Sequence, residues 1–343
     1  MGKPVRRFVA MIAFTLLVFS SQTAPATAGG AAATDPPGTP PRLILGDATT
    51  HDPAIVRSGS DRYVFSTGDP AVSGGAIQVR SSRDGSHWSY RGTVTPAIPA
   101  WVTASVPGVA NLWAPDVSLH GGTWYLYYAA STFGSNRSVI GLLTSPTLDP
   151  SDPAYRWSDQ GLVTESFATD DFNAIDPALT TDAQGRAWLS FGSFWSGIKL
   201  TEVFLPSGKP ATSHPAHTDL VDRAVPPDAV EAPYIVRHGD WYYLFASFDF
   251  CCQGANSTYR VVVGRAATIT GPYVDRNGTS LQHGGGSPFL DAQGAMRGPG
   301  GESVSGDTFA FHYYDAANNG TPHLGLGQLA WRNGWPVLTQ IRI

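Results

Sequence analysis

The chain has 343 residues, 42% hydrophobic and only 14% charged, with 38 Gly, 27 Pro, 10 Trp, 13 Tyr and 16 Phe, a globular composition that excludes a disordered protein. Its net charge of −5 comes with no basic block that could track a phosphate backbone, so nucleic acid is excluded as a partner. Many aromatics beside few charges suit stacking on flat, uncharged ligands, and carbohydrate fits that description.

At the N-terminus, Lys3, Arg6 and Arg7 precede an apolar run from Phe8 to Phe19, then small polar residues and Ala26-Thr27-Ala28. This pattern predicts a secretory signal peptide over residues 1–28, with a twin-arginine route as the variant reading of Arg6-Arg7. The run is too short to span a bilayer, so no membrane association is expected and the mature protein is expected to be secreted and extracellular. Cleavage removes three positive charges and leaves a net charge of −8. Residues 29–41, rich in Ala, Gly and Pro, read as a flexible leader, and 42–343 as one catalytic domain.

From there a single pattern recurs: an acidic residue close to Pro, apolar residues, a turn that usually contains Gly, then an aromatic strand. Asp52-Pro53-Ala54-Ile55 leads to Tyr63-Val64-Phe65-Ser66, and Pro115-Asp116-Val117 leads to Trp124-Tyr125-Leu126-Tyr127-Tyr128. Asp176-Pro177-Ala178-Leu179 leads to Trp188-Leu189-Ser190-Phe191, and Glu231-Ala232-Pro233-Tyr234-Ile235 leads to Trp241-Tyr242-Tyr243-Leu244-Phe245. A degenerate fifth copy runs from Glu302-Ser303-Val304 to Phe309-Ala310-Phe311-His312-Tyr313-Tyr314. The acids are 64, 60, 55 and 71 residues apart. Strand signals such as Ala76–Arg80 and Tyr259–Gly264 fill the units, without helical periodicity of useful length. Units of this size each hold a four-stranded antiparallel sheet, and five of them predict an all-β, five-bladed β-propeller.

A propeller lines its channel with the innermost strand of every blade, so Asp52, Asp116, Asp176 and Glu231 are expected to converge at one mouth. An isolated acid beside Pro is commonly a turn cap, but four in register crowd like charge without structural need. Such a cluster can bind a hard cation or cleave an acid-labile bond. Glycoside hydrolysis needs one protonated carboxyl at the leaving oxygen and one ionised carboxylate on water, and a third can hold the acid's pKa up. Glu231, with the longest reach, suits the acid. The adjacent pair Cys251-Cys252 staples no loop and reads either as two thiols or as a vicinal disulfide, with zinc improbable.

With these residues in hand, the chain from His51 onward resembles family 43 of the glycoside hydrolases, and within it the arabinan endo-1,5-α-L-arabinosidases. The motifs that carry the resemblance are His51-Asp52-Pro53, Trp113-Ala114-Pro115-Asp116, Ser131-Thr132-Phe133-Gly134-Ser135, Asn173-Ala174-Ile175-Asp176-Pro177 and Ser193-Phe194-Trp195. Further along stand Glu231-Ala232-Pro233, Phe250-Cys251-Cys252-Gln253-Gly254 with Ser257-Thr258-Tyr259, and Phe311-His312-Tyr313-Tyr314-Asp315. The resemblance implies a five-bladed propeller and an inverting mechanism, with Asp52 as general base, Glu231 as general acid and Asp176 raising the acid's pKa and orienting substrate. Asp116 is left a structural role, bonding backbone amides near the channel. It also implies substrate contacts at Asp52, Gly134, Asn173, Ala174, Ile175, Asp176, Ser193, Phe194 and Trp195, with Trp113 as a stacking wall. His312 matches a histidine that binds a metal, usually calcium, with water at the other positions; oxygen-loving calcium makes the ion's identity a separate question. His51 and His87 carry no comparable signal. Where the family often has His after Gly-Pro-Gly, this chain reads Gly298-Pro299-Gly300-Gly301-Glu302, which alters polarity at the mouth.

The expectation is thus a secreted, monomeric hydrolase cutting internal α-1,5 bonds of arabinan or arabino-oligosaccharides, without an organic cofactor. An exo-acting α-L-arabinofuranosidase or β-xylosidase shares the propeller and the three acids. A non-catalytic carbohydrate-binding propeller is the reading from another class, and the presence of all three carboxylates speaks against it.

Overall fold

The computed structural model describes residues 43–212 and 215–343; the signal peptide and leader expected at the N-terminus lie outside the described residues. Five antiparallel sheets follow one another along the chain, each built as a meander. Their innermost strands are Ala54–Ser58, Trp113–His120, Ala178–Thr181, Val230–His238 and Met296–Ser305. Each of these contacts the next, and the fifth contacts the first, so the ring closes as the expected five-bladed propeller. The first blade carries an extra outer strand, Leu45–Gly46, parallel to His87–Thr93. Helix is confined to short pieces, the longest Ala100–Ser105, and among the described residues no helix is long and apolar enough to cross a membrane.

The second strand of each blade explains the aromatic repeat. Side chains alternate faces along a strand, and a propeller blade is covered on both. In Trp241–Phe248, Tyr242, Leu244 and Ala246 pack towards the third blade, whereas Tyr243 and Phe245 pack towards the fifth. The apolar core is accordingly five clusters, one in each gap between neighbouring blades. The last gap is also sewn by hydrogen bonds: Ser303 receives one from the Ile55 amide at 3.0 Å and donates one to Pro53, and Leu324 donates its amide to Ala48.

The register of the inner strands corrects one expectation. The four acids do not occupy one equivalent position. Each blade has a residue with left-handed backbone where its inner strand lines the channel: Asp52 (φ 49°), Ala114 (39°), Asp176 (56°), Ala232 (52°) and Gly301 (60°). Asp52 and Asp176 share this position, Glu231 stands one residue before it, Asp116 two after and Glu302 one after. Pairing shifts at Trp113/Asp116, Glu231/Tyr234 and Gly300/Ser303 accompany the turn, and such bulges re-aim side chains without ending the strand. Spacing in the sequence does not count residues inserted by a bulge, which is why the acids looked equivalent.

Candidate active site

The left-handed residues and their successors line a small cavity on the ring axis, with Asp52, Asp116, Asp176, Ala232, Tyr234 and Glu302 among its walls. Of the three acids assigned to chemistry, Asp52 and Asp176 line it, and Glu231 immediately precedes the lining residue Ala232. Aspartate tolerates left-handed backbone better than most residues, so Asp52 and Asp176 hold this geometry at modest strain.

Asp52 is embraced from three sides. His51 Nδ1 donates to its Oδ2 at 2.8 Å, Thr67 Oγ1 donates to the same oxygen at 2.6 Å, and its own amide donates to His312 Nδ1 at 3.1 Å. Burial works to raise its pKa, but the charge and hydrogen bond of His51, with His312 and Thr67, outweigh it and hold the carboxyl well below the usual range. Asp52 therefore favours its ionised form across the ordinary carboxylate range and above it. His51 moves reciprocally: burial lowers its pKa, and Asp52 more than offsets this, leaving it raised. Sequence reasoning quoted this histidine in a motif but assigned it no role; it lies 263 residues from its second partner, Tyr314 Oη, at 2.7 Å.

Glu231 has the opposite environment. It is buried, and burial pushes its carboxyl up while hydrogen bonds from Ser193 Oγ (2.6 Å to Oε2) and Tyr259 Oη (2.8 Å to Oε1) restrain the rise. Asp176 accepts the Ala232 amide at 3.0 Å. Burial first, then the negative charges of Glu231 and Asp52, raise Asp176 well above the ordinary value. Glu231 and Asp176 thus compete for a proton beside an Asp52 that has none, the division of labour an acid and a base require. Tyr259 and Thr67 are site residues that sequence reasoning missed, although Tyr259 stood inside a quoted motif.

Asp116 takes the structural role expected of it: its Oδ2 accepts the Leu179 amide of the next blade at 2.8 Å, and burial raises its pKa to about 7. Glu302 is buried as well, pushed up by burial to about 8, with Oε2 accepting from Ser247 at 2.7 Å and Oε1 without a partner among the described residues. His312 is fully buried; burial and the neighbouring His51 keep its pKa well below the usual value, and its Nε2 also lacks a partner. Because Nδ1 accepts the Asp52 amide, the neutral ring carries its proton on Nε2, a donor that suits a bound water; a cation at Nε2 requires the ring proton on Nδ1, 3.5 Å from Asp52 Oδ1.

Around the rim, Trp113 is half-buried, anchored by Nε1 to Asn111, and meets the edge of the exposed Phe133. Gly134 follows in left-handed conformation with open space around it. Across the mouth, Phe194 and Trp195 both have positive φ, and Trp195 and Phe250 are exposed. Asn173, Ala174 and Ile175 are buried: Asn173 Oδ1 accepts from Ser138, and the Ala174 amide donates to Ser166, so their visible role is to carry the chain into Asp176. Ser193 joins the acid. Aromatic side chains thus adjoin site residues in two blades, Trp113 next to the lining residue Ala114 and Phe194 next to Ser193, which bonds Glu231. Cys251 and Cys252 are joined in a vicinal disulfide, which decides between the two readings of that pair.

Residues 45–336 match the family described as Glycosyl hydrolases family 43. The extracellular endo-α-(1→5)-L-arabinanase 1 of Bacillus subtilis is 40% identical over 291 residues, 83% of this chain and 86% of that protein. The extracellular exo-α-(1→5)-L-arabinofuranosidase ArbA of Cellvibrio japonicus is also 40% identical, over 84% of this chain and 86% of its own length. Among solved structures, a GH43 endo-arabinanase from Bacillus licheniformis superposes with a TM-score of 0.81 at 40% identity, covering 86% of this chain and 99% of that one.

Proposed function

The chain belongs to glycosyl hydrolases family 43 and is a glycoside hydrolase, and from that premise we propose that it cleaves internal α-1,5-L-arabinofuranosidic bonds of arabinan with inversion. The observation that carries the mechanism is the opposed tuning of two carboxyls at one rim: Asp52 held ionised, Glu231 held towards its protonated form. Asp52 takes a proton from water as the water oxygen bonds to the anomeric carbon. Glu231 delivers its proton to the departing glycosidic oxygen, on the opposite side of the sugar. Asp176, anchored on the Ala232 amide, keeps negative charge beside Glu231 and orients the sugar. Aromatic side chains beside site residues in two blades support a chain lying across the mouth, hence attack within the polymer.

The equal similarity to a relative named as an exo-arabinofuranosidase keeps exo attack as the second reading. Export to the extracellular space is supported by the N-terminal pattern and by relatives named extracellular, and a ring closed within one chain supports action as a monomer. With its ring proton moved to Nδ1, facing Asp52 Oδ1, His312 Nε2 would hold a cation, calcium for preference, with waters completing its shell. When bound, the ion would supply positive charge next to His312 in the carboxylate-lined channel. A time course on linear debranched arabinan, with products resolved by length, tests the reading. Early mixed oligosaccharides, absent with Glu231→Gln, are expected. Arabinose alone from the start would establish the exo mode, and binding without product would leave a carbohydrate-binding propeller.

A further inference from the structure

The vicinal disulfide lies against the catalytic rim. The Cys252 amide donates to Tyr314 Oη at 2.8 Å, Tyr314 Oη meets His51 Nε2 at 2.7 Å, and His51 Nδ1 donates to Asp52 Oδ2 at 2.8 Å. Four groups from three separate stretches of chain therefore form one file ending on the base. Cys252 Sγ itself stands 3.8 Å from His51 Nε2 and 3.7 Å from Tyr314 Oη, so sulfur covers the polar end of the imidazole. His51, Cys251 and Cys252 are close enough to resemble a metal site, but sulfurs joined to each other are not thiolates, and the group has no soft donor to offer.

We propose that Tyr314 and the Cys251–Cys252 turn are positioning groups for Asp52, acting through His51. Hydrogen-bond direction supports this. With His51 neutral, Tyr314 gives its proton to Nε2 and receives the Cys252 amide; with His51 charged, Nε2 gives its proton to the Tyr314 oxygen. In both cases Nδ1 keeps its hydrogen and aims it at Asp52. The other face of the imidazole stacks on His312, with ring centroids 3.9 Å apart, so in-plane rotation is the freedom left, and Tyr314 removes it. Tyr314 is in turn held by an amide whose residue has left-handed backbone, φ 65°, an unusual conformation for cysteine that the ring of the vicinal disulfide constrains. Gln253 and Ser257 close the turn with an amide-to-hydroxyl hydrogen bond of 3.0 Å.

The inference rests on Asp52 as the base, as proposed above. Its test pairs kinetics on debranched arabinan with nitrogen-15 NMR of the His51 ring at one fixed pH, on wild type, Tyr314→Phe and the double variant Cys251→Ser with Cys252→Ser. A lost hydroxyl is expected to reduce kcat about ten- to a hundredfold with KM within about twofold, because orientation and not sugar binding is disturbed. The double variant is expected to lose less, in the same sense. In both, the Nδ1–H signal of His51, sharp in wild type, should broaden through exchange with water. Unchanged kcat and unchanged His51 signals in both variants would overturn the proposal, as would kcat and KM changes that merely follow the folded fraction. Should wild type release no sugar from arabinan, the functional reading falls, and the NMR comparison alone judges the file of hydrogen bonds.

Discussion

Gly301 packs against Asp52 so closely that a Cβ on it would lie 2.7 Å from Asp52 Oδ1 and 2.7 Å from His312 Nδ1. At this position the innermost strand of the fifth blade therefore presents backbone, without a side chain, to the base. Gly301→Ala is expected to keep the fold, since left-handed backbone costs alanine about 1 kcal/mol, while displacing Asp52 and lowering kcat about a hundredfold. Circular dichroism and kcat measured together check it; full activity would mean that the rim relaxes freely.

How much of this was legible in the sequence depends on which interactions repeat. Asp52, Asp176 and Glu231 announced themselves because five blades repeat one strand, and the aromatic second strand revealed the fold for the same reason. The register did not, because Ala114, Ala232 and Gly301 occupy the position of Asp52 and Asp176, and no acid marks them. The partners that tune the acids were invisible for a different reason. Thr67, Tyr259 and Tyr314 reach the carboxyls or their partners through loops and neighbouring strands, and no spacing rule connects His51 with a tyrosine 263 residues away. The vicinal disulfide was legible as a possibility, and only its contact with Tyr314 gives it a place in the site.

The separate roles of base and acid give a substrate-dependent signature. Asp52→Asn and Glu231→Gln are each expected to lower turnover of arabinan by at least about 10²–10⁴-fold. An aryl arabinofuranoside whose phenol leaves without help needs no proton from Glu231. The Glu231→Gln protein should recover much of its rate on that substrate, and the Asp52→Asn protein should not. Equal losses on both substrates would contradict the assignment.

The Asp176–Glu231 pair sets the alkaline edge of activity. Both carboxyls are raised by burial and each is raised further by negative neighbours, so the proton they share leaves above the ordinary carboxylate range. Asp52 ionises well below it, and kcat/KM is expected to be bell-shaped with its acid limb displaced downward. Asp176→Asn removes a negative charge beside Glu231. Its alkaline limb should move to lower pH and kcat should fall; an unmoved limb would mean that Asp176 only binds sugar.

Glu302 gives the clearest dependence of stability on pH. Its pKa in the fold is about 8 against an ordinary 4.5, because burial disfavours the charge and Ser247 offers only one hydrogen bond in compensation. Between these values the unfolded chain has released the proton and the folded chain retains it. Stability is therefore full below about pH 4.5 and is lost progressively as pH rises through that window, on the order of a few kcal/mol by pH 8. Asp116, at about 7, adds in the same direction. Glutamine at position 302 keeps an oxygen for the Ser247 hydroxyl and carries no titrating proton. Glu302→Gln is thus expected to narrow the difference in Tm between pH 5 and pH 8, with its gain confined to the higher pH. The same Tm difference in both proteins would show that Glu302 is charged in the fold, held there by a cation in the channel; a calcium titration of each, read as a shift in Tm, separates that outcome from simple insensitivity.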